Sequence, residues 1–262
     1  MFKLLKVLFS SVIPKAFVFI LNLILARTLN INEFGTYGYV KSFFNFFETI
    51  VSSSLVPHSV SSLSNKTLKI QQVTAIYFLF AVVSSLSSAI VIISVGSINS
   101  IYIPIILCAG VFGSIANSYL YVCIVTKDKT NILFFSSFLT ILLLVLFLYF
   151  FSIDSTVLAL IFAVSFNFLD FLFKWFFLKC YKINFSFNVD FTNLQLSKPL
   201  LLICGLSING VLFLIQRILL AKTDNGMEQM AYLEIVMQAF SLISVFLFSQ
   251  STQKLELAVP VQ

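Results

Sequence analysis

Long apolar runs alternate with short polar stretches along all 262 residues of the chain. Eight runs are long enough to cross a bilayer, with approximate limits 5–27, 36–57, 73–95, 101–125, 132–152, 156–178, 198–221 and 229–250. A membrane helix needs about 20 mostly apolar residues. Lipid leaves room only for helices or closed barrels, and the runs lack the strict alternation of barrel strands. The pattern therefore predicts an all-α polytopic membrane protein of about eight helices. Several neighbouring runs are joined by short polar linkers such as "TLNINEFG" and "GSINS".

Composition supports this reading. Hydrophobic residues make up 60% of the chain and charged residues 10%, more apolar surface than a soluble core can hide. The net charge of +6 then reflects loop lysines rather than a nucleic-acid surface. With the N-terminus in the cytoplasm, Lys3, Lys6, Lys66, Lys69, Lys127, Lys129, Lys174, Lys179, Lys182, Lys198 and Lys254 fall on the cytoplasmic side. Only Arg27 and Lys222 fall on the outer side, so each cytoplasmic loop obeys the positive-inside rule. Pro14 and Lys15 interrupt the first run and no small-x-small cleavage site follows, which predicts a retained span rather than a leader. The scattered Cys108, Cys123, Cys180 and Cys204 and the single His58 offer no metal-ligand spacing. No Gly-rich Lys-Ser/Thr phosphate loop is present, and the outer loops are short. An enzyme is not expected, and neither is a cofactor.

A shift of 195 residues aligns "ILNLILARTLNINEFGTY" with "IQRILLAKTDNGMEQMAY" at seven identities in 18 positions. The identities are Ile20/Ile215, Leu25/Leu220, Ala26/Ala221, Thr28/Thr223, Asn30/Asn225, Glu33/Glu228 and Tyr37/Tyr232. Six spans separate the copies, an even number, so both run the same way through the membrane. A parallel repeat of this kind is related by an axis along the membrane normal. It predicts a six-helix lobe over 1–182, a cytoplasmic linker over 183–197 and the first two helices of a second lobe over 198–262.

Polar groups inside the runs carry the candidate chemistry. An ionisable residue at bilayer depth costs roughly 2.5–3.5 kcal/mol on insertion scales, so it should face a cavity or a partner. Lys41, Asn45, Glu48 and Ser52 share one helical stripe in "KSFFNFFETIVS". They line a hydrophilic passage, or else Lys41 and Glu48 form a helix-gluing pair. Lys15 and Asn22 share a face of the first span, and Arg217 matches Asn22 in the repeat. Glu234, Gln238 and Ser241 form a stripe on the eighth span. The expected substrate-binding set is Lys15, Asn22, Lys41, Asn45, Glu48, Arg217 and Glu234. Arg27 and Lys222 stand at the outer mouth. Glu48, Asp170 and Glu234 are the candidates for ion coupling. For Asp170, a structural pair with Lys174 at i, i+4 is the competing and favoured reading. Asn117 and Ser114 share a face of the fourth span beside Gly110 and Gly113, whose small size suits close helix packing.

The stretch "LARTLNINEFGTY" resembles a signature of bacterial polysaccharide-export flippases, which reads LAR-L, four residues, FG, one residue, Y. Leu25, Ala26, Arg27, Leu29, Phe34, Gly35 and Tyr37 carry it. "LSINGVLFLIQRILLAKTDNGMEQMAYLEIVMQAFSLI" is similar to the start of their second lobe. These are the O-antigen (Wzx-type) flippases of the multidrug/oligosaccharidyl-lipid/polysaccharide exporter superfamily. The resemblance implies a MATE-like fold of two six-helix lobes around a central cavity. It implies an undecaprenyl-diphosphate-linked oligosaccharide as substrate, moved from the cytoplasmic to the periplasmic leaflet of the inner membrane. Membrane lipids and other polysaccharide-assembly proteins would be its partners, and nucleic acid would not. Against that plan the chain is expected to be truncated after the eighth helix. Three other readings stay open: a cation-coupled drug antiporter, a peptidoglycan-precursor flippase, and a remnant or subunit with no transport of its own.

Overall fold

The computed structural model describes residues 2–95, 100–183, 185, 187–192 and 196–240, with backbone alone for 2–13, 206 and 209. Every regular element among them is helical. The helices are α1 (Phe2–Thr28), α2 (Ile31–Ser64), α3 (Ile70–Val95), α4 (Tyr102–Val125), α5 (Asn131–Phe150), α6 (Thr156–Cys180) and α7 (Ser197–Ala221). A further helical stretch, α8, occupies 226–240. The far part of the eighth expected span (241–250), Ser241 and Lys254 lie outside the described residues.

Local chemistry sets the helix ends. Asn30 turns its side-chain oxygen onto the backbone N–H of Glu33 at 2.9 Å and so starts α2. Ser155 caps α6 by accepting from Leu158 N. At the other ends, Lys66 and Lys182 take left-handed backbone angles, φ 57° and 51°. The following N–H groups then close back, Thr67 onto Ser62 O and Ile183 onto Leu178 O. This satisfies carbonyls that a helix end leaves open. Helix α2 is longer than the expected 36–57. Pro57 sits inside it without ending it, and the helix runs on to Ser64.

Among the described residues four helices, α3 to α6, are long and apolar enough to cross a membrane, and α7 adds a fifth if its two segments, bent by 47°, count as one span. Helix α2 is not among them, because Lys41, Asn45, Glu48 and its serines lower its hydropathy. Alongside a buried apolar core, the bundle buries hydroxyl side chains and exposes large apolar ones. On α3, Ser84, Ser85 and Ser88 are buried while Val83, Leu86, Ile90 and Ile93 are exposed. On α5, Ser136, Ser137 and Thr140 are buried while Phe138, Leu142 and Leu146 are exposed. Such apolar outer stripes suit lipid as solvent and would be unstable in water. The protein is membrane-embedded.

Helix α4 holds the bundle together, packing against α3, α6 and α2, with Val111, Ile115 and Leu120 fully buried. Helix α1 leans mainly on α5 and barely on α2. Helix α2 packs instead against α7 and, through its first turns, against α8. There Gly35 lies so close to α8 that a Cβ would fall 1.8 Å from the Met227 carbonyl oxygen. One turn on, Gly38 faces the Glu234 side chain. Gly110 likewise admits Val164 and Phe44, whereas Gly113 faces open space and has no packing role of this kind.

Candidate functional site

The close approach of α2 and α8 brings together side chains that are far apart in sequence. Lys41 Nζ lies 3.1 Å from Glu234 Oε1, across 193 residues of chain. It also donates to Asn22 Oδ1 at 3.2 Å. Tyr37 OH donates to that same oxygen at 3.2 Å. From α7, Arg217 NH1 reaches Glu234 Oε2 at 3.3 Å and donates to the Gly38 carbonyl at 3.1 Å. Gln238 donates to Glu234 Oε1 at 2.8 Å. Lys41, Asn22, Arg217 and Glu234 are all buried. Aromatic rings support both cations: Lys41 Nζ is 5.3 Å from the Tyr37 ring centre and the Arg217 guanidinium 4.6 Å from that of Phe213.

The cluster holds two cations and one carboxylate. Taking charges out of water costs several kcal/mol per ion, and one carboxylate neutralises only one cation. A positive excess is therefore stored at this junction. Two of its buried donors, Asn22 Nδ2 and Arg217 Nε, have no hydrogen-bond acceptor among the described residues. Asn22 and Arg217 are the residues that the 195-residue shift makes equivalent. They reach the same cluster from different helices, Asn22 from α1 and Arg217 from α7.

Beside the cluster lies a cavity of about 310 Å³. Lys15, Lys41, Asn45, Glu48, Asn167 and Gln238 provide its polar lining, with Phe17, Phe44 and Phe166 among the apolar residues. The expected stripe Lys41–Asn45–Glu48 does face a hollow, and Lys15 joins it from α1. Ser52, the fourth member, instead turns its hydroxyl back onto the Glu48 carbonyl. Glu48 is not Lys41's partner; Glu234 is. A larger hollow of about 1070 Å³ between α3, α4 and α6 is lined by no charged side chain among the described residues, which gives an ionic headgroup no charged partner there.

No protein-family model, curated protein or solved structure matches the chain.

Asp170, a coupling candidate, lies elsewhere. Its Oδ2 is 2.6 Å from Lys174 Nζ and accepts from Asn117 Nδ2 at 3.0 Å. Lys174 donates in turn to Asn117 Oδ1 at 2.9 Å. The three groups form a neutral triangle that fastens α6 to α4, with Asp170 Oδ1 buried and without a hydrogen-bond partner among the described residues. This is the structural pair expected from i, i+4 spacing, with an amide added from another helix. Arg27 and Lys222 are exposed at the ends of α1 and α7, beside the turns at 29–30 and 222–225.

Tyr37, Gln238 and the Gly38 carbonyl complete the site, and their roles depend on contacts between distant segments. The repeat was the usable signal for Tyr37, since it is one of the seven identities. Its counterpart Tyr232 is exposed, so the two copies are not equivalent in detail. The paired asparagines also differ: Asn30 caps a helix, while Asn225 takes a left-handed turn, φ 59°.

Proposed function

We propose that the chain acts in a bacterial inner-membrane transporter that carries an anionic, lipid-linked oligosaccharide from the cytoplasmic to the periplasmic leaflet. The substrate class is an undecaprenyl-diphosphate-linked repeat unit. One observation carries the reading: a buried surplus of positive charge at Lys41 and Arg217 borders a polar cavity inside a membrane-embedded bundle. A diphosphate cannot cross hydrocarbon unaided. Fixed cations beside a polar hollow compensate its charge, and the lipid tail can remain in the bilayer.

In this reading the N-terminus is cytoplasmic and the helices follow a MATE-like plan of two lobes, α1–α6 and the helices from α7 onward. The Lys41–Glu234–Arg217 cluster then joins the lobes on the outer side of the cavity and closes it there. Rocking of the lobes opens the other side in turn. The membrane potential, negative inside, assists outward movement of an anion by ~2.3 kcal/mol per charge per 100 mV.

Deletion of the gene and inspection of surface glycan test the proposal. Long-chain glycan is expected to disappear, to return with the wild-type gene, and to stay absent with Lys41→Ala/Arg217→Ala. Unchanged glycan in the deletion strain would refute it. Unchanged glycan together with new sensitivity to cationic dyes would instead indicate a drug antiporter.

A further inference from the structure

Glu234 occupies the cluster in the manner of a ligand. Its two carboxylate oxygens are divided between the cations, Oε1 on Lys41 and Oε2 on Arg217, and Gln238 holds Oε1 from the same helix. The protein thus places an anion of its own between the two buried cations. The fit is incomplete. Among the described residues Arg217 Nε and Asn22 Nδ2 remain buried donors without an acceptor, although such groups normally find one. A phosphate group has the same two-oxygen edge and further oxygens for those donors.

We propose that Lys41, Arg217 and Asn22 form the diphosphate-binding site, that Glu234 is its resident internal anion, and that the substrate diphosphate takes its place. The proposal rests on the diphosphate substrate argued above and adds how its site is kept closed. Three structural facts support the exchange. The cavity lined by Lys41 and Gln238 adjoins the carboxylate, giving an anion a way in. Lys15 stands at that cavity as a second, exposed cation, and Glu48 contributes a carboxyl group to the same lining. Glu234 sits on α8, whose attachment to α2 at Gly35 and Gly38 is a steric fit. Displacing the carboxylate therefore removes the ionic tie between α8 and α2, and substrate arrival itself loosens the junction of the two lobes. An exchange of this type also keeps two cations from standing buried and unpaired in the empty protein, which would be costly.

The test measures binding of farnesyl diphosphate, and separately of inorganic pyrophosphate, to the full chain in lipid nanodiscs. Glu234→Gln empties the site while keeping the shape of the side chain. It is expected to tighten farnesyl diphosphate binding by about tenfold, because the binding-competent state is no longer a minor population. Glu234→Asp, too short to span both cations, should lie between, and it decides the matter if Glu234→Gln fails to fold. Lys41→Gln/Arg217→Gln should abolish binding. Pyrophosphate should show the same ranking if the headgroup is what is recognised; a ranking seen only with farnesyl diphosphate would overturn the assignment to the diphosphate. Wild-type binding that Glu234→Gln leaves equal or weaker would overturn the displacement alone. Absence of binding in every variant would overturn both the displacement and the diphosphate reading.

Discussion

The two buried ion clusters are built from the same groups and arranged for different ends. Asp170, Lys174 and Asn117 form a neutral triangle in which Asp170 Oδ2 and both amide atoms of Asn117 are engaged and Asp170 Oδ1 is left buried without a partner among the described residues. All three residues belong to two neighbouring helices, α4 and α6. Lys41, Arg217, Glu234 and Asn22 draw on four helices, carry a surplus cation and leave buried donors unused. A balanced cluster gains nothing from an incoming ion. An unbalanced one has reason to bind an anion and to rearrange when it does. The stoichiometry of charge, rather than burial, separates the fastening from the candidate site.

Removing single charges should expose this difference most strongly. Glu234→Gln leaves two buried cations without a counter-charge and is expected to cost about 3–5 kcal/mol or more, as thermal unfolding in detergent would measure. Asp170→Asn leaves one cation and should cost about 3 kcal/mol. Arg217→Gln leaves the neutral pair Lys41–Glu234 and relieves repulsion between the cations, so its cost should be about 1 kcal/mol. The distinguishing result is that an anion-site variant, Arg217→Gln, is milder than the fastening variant Asp170→Asn. The reverse order would show that both clusters are structural glue.

A second contrast concerns backbone approach. Gly35→Ala would place a methyl 1.8 Å from a carbonyl oxygen of α8. Neither backbone can yield without separating the helices, and overpacking of this kind costs about 1–3 kcal/mol. Gly113→Ala, in open space, should be neutral or gain up to about 1 kcal/mol from helix propensity. Gly35→Ala should also loosen the ion cluster one turn further along α2, which farnesyl diphosphate binding would register as a gain in affinity.

These contrasts also show which parts of the molecule were legible in the sequence. The limits of α3 to α6 follow from where apolar runs stop, because lipid demands a nearly unbroken run and tolerates no polar backbone. The Asp170–Lys174 pair was legible because four residues bring two side chains together on any helix. Its third member, Asn117, was placed on a helix face but not against that pair, since helix–helix register is not a local property. The stripe Lys41–Asn45–Glu48 was legible as one face, and it does line a cavity. Lys41's true partner was not, because 193 residues of chain separate it from Glu234 and only the packing of α2 on α8 unites them. The internal repeat held a partial clue by making Asn22 and Arg217 equivalent. The extension of α2 past Pro57 went unread because a proline removes one hydrogen bond, and packing on both sides can outweigh that loss.

The smallest effect should be found where helices end rather than where charges meet. Lys182 holds a left-handed backbone at the end of α6, the helix that carries Asp170 and Lys174. A lysine there bears a steric cost from its Cβ, on the order of 1–2 kcal/mol, partly offset by attraction to the helix C-terminus of about 0.3–1 kcal/mol. Lys182→Asn keeps a side chain that enters this conformation more easily and should raise stability by about 0.5 kcal/mol in thermal unfolding. Eight positions separate Lys182 from Lys174, which is ~12 Å along the helix, beyond the range at which substitutions usually couple. The same gain should therefore appear on top of Asp170→Asn and of Glu234→Gln, and diphosphate binding should not change. A gain that vanishes in the Asp170→Asn background would mean that the triangle, and not the cap, fixes the end of α6. The balanced cluster would then reach further into the fold than its contacts with Asn117 indicate.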